Sequence, residues 1–183
     1  MVAPNIARIA VGKRSIGFAP LLQEAARGLH RARICYAKGL NDKGGDMAPE
    51  LLRGVIHPWH HDHFGHMNVR HYAPFFDDAC YHMWTRLGLA YRDMLAEHGV
   101  HTVTAQACTR FVAELQAGDL IVITGVVTKI GTKSCTFLFE MRHADTGALH
   151  ATYEVVEVFF DPATRGSTAM PDTVRRKLET ALV

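Results

Sequence analysis

The chain has 183 residues, 48% hydrophobic and 21% charged, which is enough for a globular domain with a substantial core. Its net charge of +2 gives no reason to expect nucleic acid or a membrane surface as a partner. No apolar run approaches the ~18 residues that a membrane-spanning helix needs. The four cysteines are widely spaced, with no CxxC pair, which is typical of buried, reduced thiols in a cytoplasmic protein.

The N-terminal part differs in composition from the rest. Residues 1–45 carry eight Lys or Arg against two acids, and apolar residues at helical spacing predict a helix over Phe18–Tyr36. A glycine-rich segment, KGLNDKGGD, follows. An Arg-rich, acid-poor, amphipathic segment is typical of an organellar transit peptide; the simpler interpretation is an extension ahead of the folded domain. We therefore predict a basic N-terminal extension over residues 1–50, partly helical or disordered, and one domain over 51–183.

The domain begins with a short strand and two helices. The strand is predicted over Gly54–His60, where Pro58 interrupts it. A long helix follows over Asn68–Leu87, because its apolar residues recur at i, i+3 and i+4 and form a wide stripe. A second helix is predicted over Tyr91–His98 and ends at Gly99.

The remainder of the chain is predicted to form strands. Four segments are rich in β-branched residues or alternate in hydrophobicity, and the turn signals AGD, GTK and DTG lie between them. Because these connections are too short for crossover helices, we expect antiparallel neighbours. The fold class is therefore α+β, with one long helix against a curled antiparallel sheet of about five strands. The four strands and a closing helix are predicted at Val100–Val112, Asp119–Lys129, Ser134–His143, Ala148–Phe160 and Asp172–Leu182.

Six of the 12 histidines lie in one stretch, HPWHHDHFGHMNVRHY, from His57 to Tyr72. Histidine with carboxylate suits zinc, and Asp62-His63 matches half of an HxHxDH metal motif. The other half fails, because only one of its two histidines is present, and the chain has no HExxH. The spacing therefore does not predict a metal.

A second pattern in the same stretch carries more information. The sequence D-x-x-G-H-x-N-x-x-x-Y, leading into F-F-D-x-A and L-G-L, resembles the hotdog-fold acyl-CoA thioesterases of the 4-hydroxybenzoyl-CoA thioesterase type. The resemblance continues in F-V-x-E-L-x-x-G-D, G-T-K-S and D-x-x-T-R-x-S-x-x-x-P-D, and it covers about residues 51–183. It implies a helix wrapped by the sheet, two protomers paired edge to edge, and an active site at their interface.

The resemblance also implies roles for four residues of the loop. Asp62 is expected to attack the thioester carbonyl or to activate the water that does. The backbone N–H groups around Gly65 and His66, at the start of the helix, are expected to polarise the carbonyl oxygen. His66 orients Asp62 or the substrate, or contributes only its amide. Asn68 hydrogen-bonds the substrate or a neighbouring loop, and helix capping explains it equally well.

Further residues are expected to bind substrate. Lys133 and Ser134, in G-T-K-S, match a place where the family contacts substrate, and Arg70 is a possible partner for the phosphates of coenzyme A. Tyr72 is assigned to the same set, although its position on the apolar stripe also suits a core residue. A tyrosine or histidine often stands seven residues after the family's aspartate, and here that position is Val69.

The predicted function is hydrolysis of an acyl-CoA thioester by a cytoplasmic enzyme that needs no cofactor or metal. The resemblance implies a homodimer or a homotetramer. Two alternatives stay open, a hotdog-fold enoyl-CoA hydratase or dehydratase and a non-catalytic acyl-CoA-binding domain. Some thioesterases of this fold use a carboxylate on the long helix, for which Asp77 and Asp78 are the candidates.

Overall fold

The structure is a computed structural model, and it describes residues 48–183. The predicted extension over residues 1–50, with its helix over Phe18–Tyr36 and its transit-peptide alternative, falls almost wholly on residues 1–47, outside the described residues. The described residues belong to one compact unit. None of the helices in this part of the chain is long and apolar enough to cross a membrane.

The secondary structure follows the predicted order. Two short 3₁₀ turns, Pro58–His60 and Val69–His71, precede the long helix. The elements are β1 (Glu50–Val55), α1 (Tyr72–Arg86), α2 (Tyr91–His98), β2 (His101–Phe111), β3 (Leu120–Ile130), β4 (Ser134–His143), β5 (Leu149–Asp161), β6 (Gly166–Ser167) and α3 (Asp172–Glu179).

The sheet has the strand order β1-β3-β4-β5-β2, with every pair antiparallel and β6 added beside β5. The prediction that consecutive strands are neighbours holds for β3, β4 and β5. It is wrong for β2 and β3, since β2 pairs with β5 and β1 takes the place beside β3. The connection over residues 112–119 is long enough to cross the end of the curled sheet, and it is anchored there by Leu115, which is fully buried.

The core lies between α1 and the concave face of the sheet. Phe76 and Trp84 of α1 are fully buried, and Trp84 packs edge to face against Phe137 of β4 at a centroid distance of 5.0 Å. Gly125 of β3 allows the closest approach of the layers, because a Cβ atom there would lie 2.6 Å from Cδ1 of Phe139. One long helix within a curled five-stranded antiparallel sheet, with a C-terminal helix, confirms the predicted α+β hotdog fold.

Three details differ from the predictions. The first strand lies at Glu50–Val55 rather than Gly54–His60, because Pro58 begins a 3₁₀ turn whose first position suits proline. The long helix is α-helical only from Tyr72, after the second 3₁₀ turn. Not all thiols are buried either, since Cys108 is exposed on β2 while Cys80 and Cys135 are buried.

Candidate active site

The loop between β1 and α1 folds back on itself as a tight turn. A β-bridge joins His61 to Met67, and the N–H of Asp62 donates to the carbonyl of His66 at 3.2 Å. The N–H of Gly65 closes the turn by donating to the carbonyl of Asp62 at 3.0 Å. Gly65 has a φ of +83°, which a residue with a side chain rarely adopts. The glycine therefore sets the turn that presents Asp62.

Hydrogen bonds hold both carboxylate oxygens of Asp62. Oδ1 accepts the N–H of Phe64 at 2.9 Å, and Oδ2 accepts Nδ2–H of Asn68 at 2.8 Å. The Phe64 hydrogen bond is the largest cause that lowers the pKa of Asp62, and Asn68, His66 and His63 lower it further. Together they outweigh the opposing effect of partial burial on this pKa. Asp62 is thus an oriented, ionised carboxylate at neutral pH.

Asn68 caps a turn, one of the roles considered for it, and it also contacts Asp62, which the sequence analysis did not consider. Its Oδ1 accepts the N–H of Arg70 at 3.1 Å and caps the 3₁₀ turn that leads into α1, while its Nδ2 donates to Asp62. Its own N–H donates to the carbonyl of His60 at 2.9 Å. A flipped amide would lose both side-chain bonds, so the two partners fix its orientation.

The backbone amides of the turn lie differently from the prediction. Gly65 and His66 precede the 3₁₀ turn at Val69 instead of forming the start of the helix. The N–H of Gly65 is already donated to Asp62. The N–H groups of His63 and His66 have no acceptor within residues 48–183, so both remain able to bind a substrate oxygen, and that of His66 is one of the two amides that the prediction named.

Glu114 is a residue at this site that the sequence analysis did not select. It lies on the connection between β2 and β3, and its Oε1 is 3.9 Å from Nε2 of His66. The neighbouring carbonyl of Leu115 accepts the N–H of Met67 at 2.9 Å, which fastens the connection to the loop. The signal was present in the sequence, because Glu114 is the acid of the F-V-x-E-L motif.

Tyr72 and Arg70 lie next to the loop without reaching Asp62. Tyr72 is buried and packs edge to face on Phe111 at 4.9 Å. Burial, with a smaller contribution from Glu114, raises the pKa of Tyr72 to about 12. Arg70 is exposed, and its Nε donates to Nε2 of His71 at 3.2 Å. Tyr72 thus packs as a core residue, the alternative that its place on the apolar stripe suggested.

Lys133 and Ser134 lie at the opposite end of the sheet from Asp62. Ser134 pairs with Val158 near the end of β5. The β1–α1 loop instead follows Val55, the last residue of β1, which pairs with Leu120 at the start of β3. Nζ of Lys133 donates to the carbonyl of Ser167 at 3.1 Å. The chain therefore does not bring these two residues to its own Asp62.

The other residues considered for the site lie around it. Asp77 and Asp78, the alternative carboxylates, are exposed on the second turn of α1. His57 stacks on the exposed Trp59 at 4.1 Å. Burial is the main cause that lowers the pKa of His60, followed by its histidine neighbours. Within residues 48–183, no group of three or more His, Cys, Asp or Glu side chains is arranged to hold a metal ion.

One protein-family model matches most of this chain. The sequence model of the thioesterase-like superfamily matches residues 56–178, a range that includes the Asp62 loop, α1 and the sheet from β2 to β5. The chain belongs to the thioesterase-like superfamily. Membership supports thioester hydrolysis as the general activity. No curated protein sequence matches this thioesterase-like chain.

Several solved structures have a similar fold. A Staphylococcus aureus protein in complex with CoA is 20% identical, with a TM-score of 0.66 over 76% of this chain and 87% of that one. The 1,4-dihydroxy-2-naphthoyl-CoA thioesterase of Synechocystis is 13% identical, with a TM-score of 0.61 over 69% and 93%. A probable thioesterase of Escherichia coli is 21% identical, with a TM-score of 0.62 over 71% and 96%. At these identities the likeness confirms the fold.

Proposed function

We propose that the protein hydrolyses an acyl-CoA thioester to the free acid and coenzyme A, with Asp62 as the nucleophile or general base. The observation that carries the proposal is the carboxylate of Asp62, held by Phe64 and Asn68 on a glycine turn. A thioester is already activated, so it needs only one such group and a site for the developing oxyanion. The CoA bound to the related S. aureus protein supports a CoA thioester as the substrate class.

The reaction has two possible courses, and the same residues serve both. As nucleophile, Asp62 adds an oxygen to the thioester carbon and expels the CoA thiolate; water then hydrolyses the mixed anhydride and restores the carboxylate. As base, Asp62 takes a proton from water, whose oxygen attacks the same carbon; the tetrahedral intermediate then expels the CoA thiolate, which takes up the proton from Asp62. In either course negative charge develops on the carbonyl oxygen. A backbone N–H such as that of His66 can stabilise this charge, typically by about 3–4 kcal/mol.

The substrate roles of Lys133 and Ser134 are explained if two copies of the chain pair along β2. Within residues 48–183 no strand pairs with the outer edge of β2. Antiparallel pairing of two such edges about a two-fold axis sets the Phe111 end of one strand beside the His101 end of the other. The G-T-K-S turn lies at the His101 end, because His101 pairs with Phe160 and Ser134 pairs with Val158 of the same strand. Lys133 of one subunit would then serve the Asp62 site of the other.

A panel of acyl-CoAs with a thiol reagent tests the activity. Release of coenzyme A from at least one aromatic or aliphatic acyl-CoA is the expected result. Hydration of crotonyl-CoA without release of coenzyme A would instead identify a hydratase. Tight binding of acyl-CoA without turnover would identify a binding domain. Either of these two outcomes contradicts the proposal.

Subunit mixing tests the shared site. We expect Asp62→Asn to be nearly inactive and Lys133→Ala to have a raised KM. If each site combines Asp62 of one subunit with Lys133 of the other, half of the dimers in a randomly reassembled equal mixture hold one intact site of two. At substrate concentrations well below the KM of Lys133→Ala, where that variant is also slow, the mixture then recovers about a quarter of the wild-type activity. Activity equal to the mean of the two separate variants would place both residues in the same subunit's site.

A further inference from the structure

The β2–β3 connection, residues 112–119, is fastened to the sheet at one end and to the catalytic loop at the other. The N–H groups of Val112 and Ala113 both donate to the carbonyl of His150, at 2.8 and 3.2 Å. The carbonyl of the buried Leu115 accepts the N–H of Met67, which immediately follows His66. Glu114 stands between these two anchors, so its backbone is fixed beside the loop although its side chain is 53% exposed.

The ring of His66 lies near the carboxylate of Glu114, with its Nε2 3.9 Å from Oε1. Its backbone belongs to the same turn as Asp62, because the carbonyl of His66 accepts the N–H of Asp62 at 3.2 Å. His66 is also among the groups that lower the pKa of Asp62. The ring is also nearly parallel to that of Phe64, at a centroid distance of 6.0 Å, and its Nδ1 is 3.4 Å from the carbonyl of Met67. Of these neighbours, Glu114 offers the acceptor for a hydrogen on Nε2.

We propose that Glu114 is a positioning residue for thioester hydrolysis that acts through His66. The carboxylate of Glu114 holds the imidazole ring of His66 in place. It thereby keeps the backbone N–H of His66 aimed at the oxygen of the thioester. The proposal rests on the thioesterase function proposed above and gives the acid of the F-V-x-E-L motif a role. Contacts of this kind are commonly long in the absence of substrate and shorten when it binds.

A purely structural role for Glu114 predicts a different pattern of effects. An ion pair with one partner more than half exposed contributes little to the free energy of unfolding. Removal of the Glu114 charge should therefore leave the unfolding transition unchanged. If Glu114 acts through His66, its removal should instead lower kcat, and only while the imidazole is present.

A double-mutant cycle in the full chain tests this dependence. We expect Glu114→Gln to lower kcat roughly tenfold in the wild-type background, with KM changed less than about twofold. In a His66→Asn background the same substitution should change kcat by less than about twofold. Glu114→Asp should recover part of the loss. Glu154→Gln, an exposed acid on β5, is the matched control and should match wild type. Equal losses in both backgrounds, or no loss in either, would overturn the proposal.

A spectroscopic measurement without substrate separates failure of this proposal from failure of the proposed function. In NMR spectra of the full chain, Glu114→Gln should shift the ring signals of His66, and Glu154→Gln should leave them in place. Unchanged His66 signals in Glu114→Gln overturn the proposal whether or not any acyl-CoA is hydrolysed. Shifted signals in a protein that hydrolyses no acyl-CoA would reject the thioesterase function and, with it, the catalytic role of Glu114.

Discussion

Asn68→Asp separates the two roles of Asn68, because aspartate keeps one of its hydrogen bonds and removes the other. The retained Oδ1 can still accept the N–H of Arg70 and cap the 3₁₀ turn. The second oxygen replaces Nδ2, a donor that lies 2.8 Å from Oδ2 of Asp62. The substitution therefore preserves the cap and places a second carboxylate against the catalytic one.

The expected magnitudes differ for stability and for activity. Aspartate and asparagine are nearly equal as N-caps, so the change of cap in Asn68→Asp should contribute less than about 0.5 kcal/mol to the free energy of unfolding, whereas loss of the cap in Asn68→Ala should contribute about 1 kcal/mol. Two carboxylates in contact favour sharing a proton, which raises the pKa of Asp62 from its lowered value. Catalysis needs the ionised form, so the acid limb of the kcat/KM profile should move to higher pH. We expect a loss of more than roughly tenfold at about pH 5 and a much smaller loss at about pH 8.

The assay is kcat/KM for the best acyl-CoA from about pH 4 to pH 9, with urea unfolding of the same samples. In the wild type the acid limb should lie below the usual range for an aspartate, because Phe64 and Asn68 stabilise the ionised form. An Asn68→Asp profile that overlays the wild-type profile would refute the reasoning. Asn68 would then act only as a cap.

Two further predictions concern glycines. Gly65→Ala and Gly99→Ala both place a side chain at positive φ, 83° and 66°, with no atom within 4 Å of the added Cβ. Each should therefore lose about 1 kcal/mol of unfolding free energy through backbone strain alone. Only Gly65→Ala should also lower kcat. Equal kcat values in the two variants would contradict the role of the Gly65 turn. Gly125→Ala should lose about 1–3 kcal/mol in urea unfolding, because its Cβ would meet Phe139 and Leu51 at 2.6 and 2.8 Å, and an unchanged midpoint would disprove this overpacking.

The sequence was most informative where a pattern has one local cause. The helical spacing of apolar residues located α1, with Phe76 and Trp84 on its buried face. Gly99 ends α2 at a φ of 66°, as expected for a glycine after a helix. The strand segments were recognisable for the same reason, since alternation reports which face of a strand is buried. Each of these patterns involves residues that are close in the sequence.

The sequence was least informative where contacts join distant residues. No local pattern indicates that β2 pairs with β5, because that choice depends on how residues 112–119 cross the end of the sheet. The approach of Glu114 to His66 depends on the same crossing. The resemblance grouped Lys133 and Ser134 with Asp62, and they lie at opposite ends of one chain. Spacing along the sequence cannot reveal such a separation, because it arises from the three-dimensional arrangement of strands.

The rate of coenzyme A release by Asp62→Asn, compared with wild type and Asp93→Asn, tests the central claim most directly. Asparagine retains the shape of Asp62 and loses its negative charge, and Asp93 is an exposed aspartate on α2. We predict that Asp62→Asn lowers kcat by at least about 100-fold with the best acyl-CoA, the usual effect of losing an essential acid–base group or nucleophile, while Asp93→Asn matches wild type. Wild-type turnover by Asp62→Asn would contradict the account.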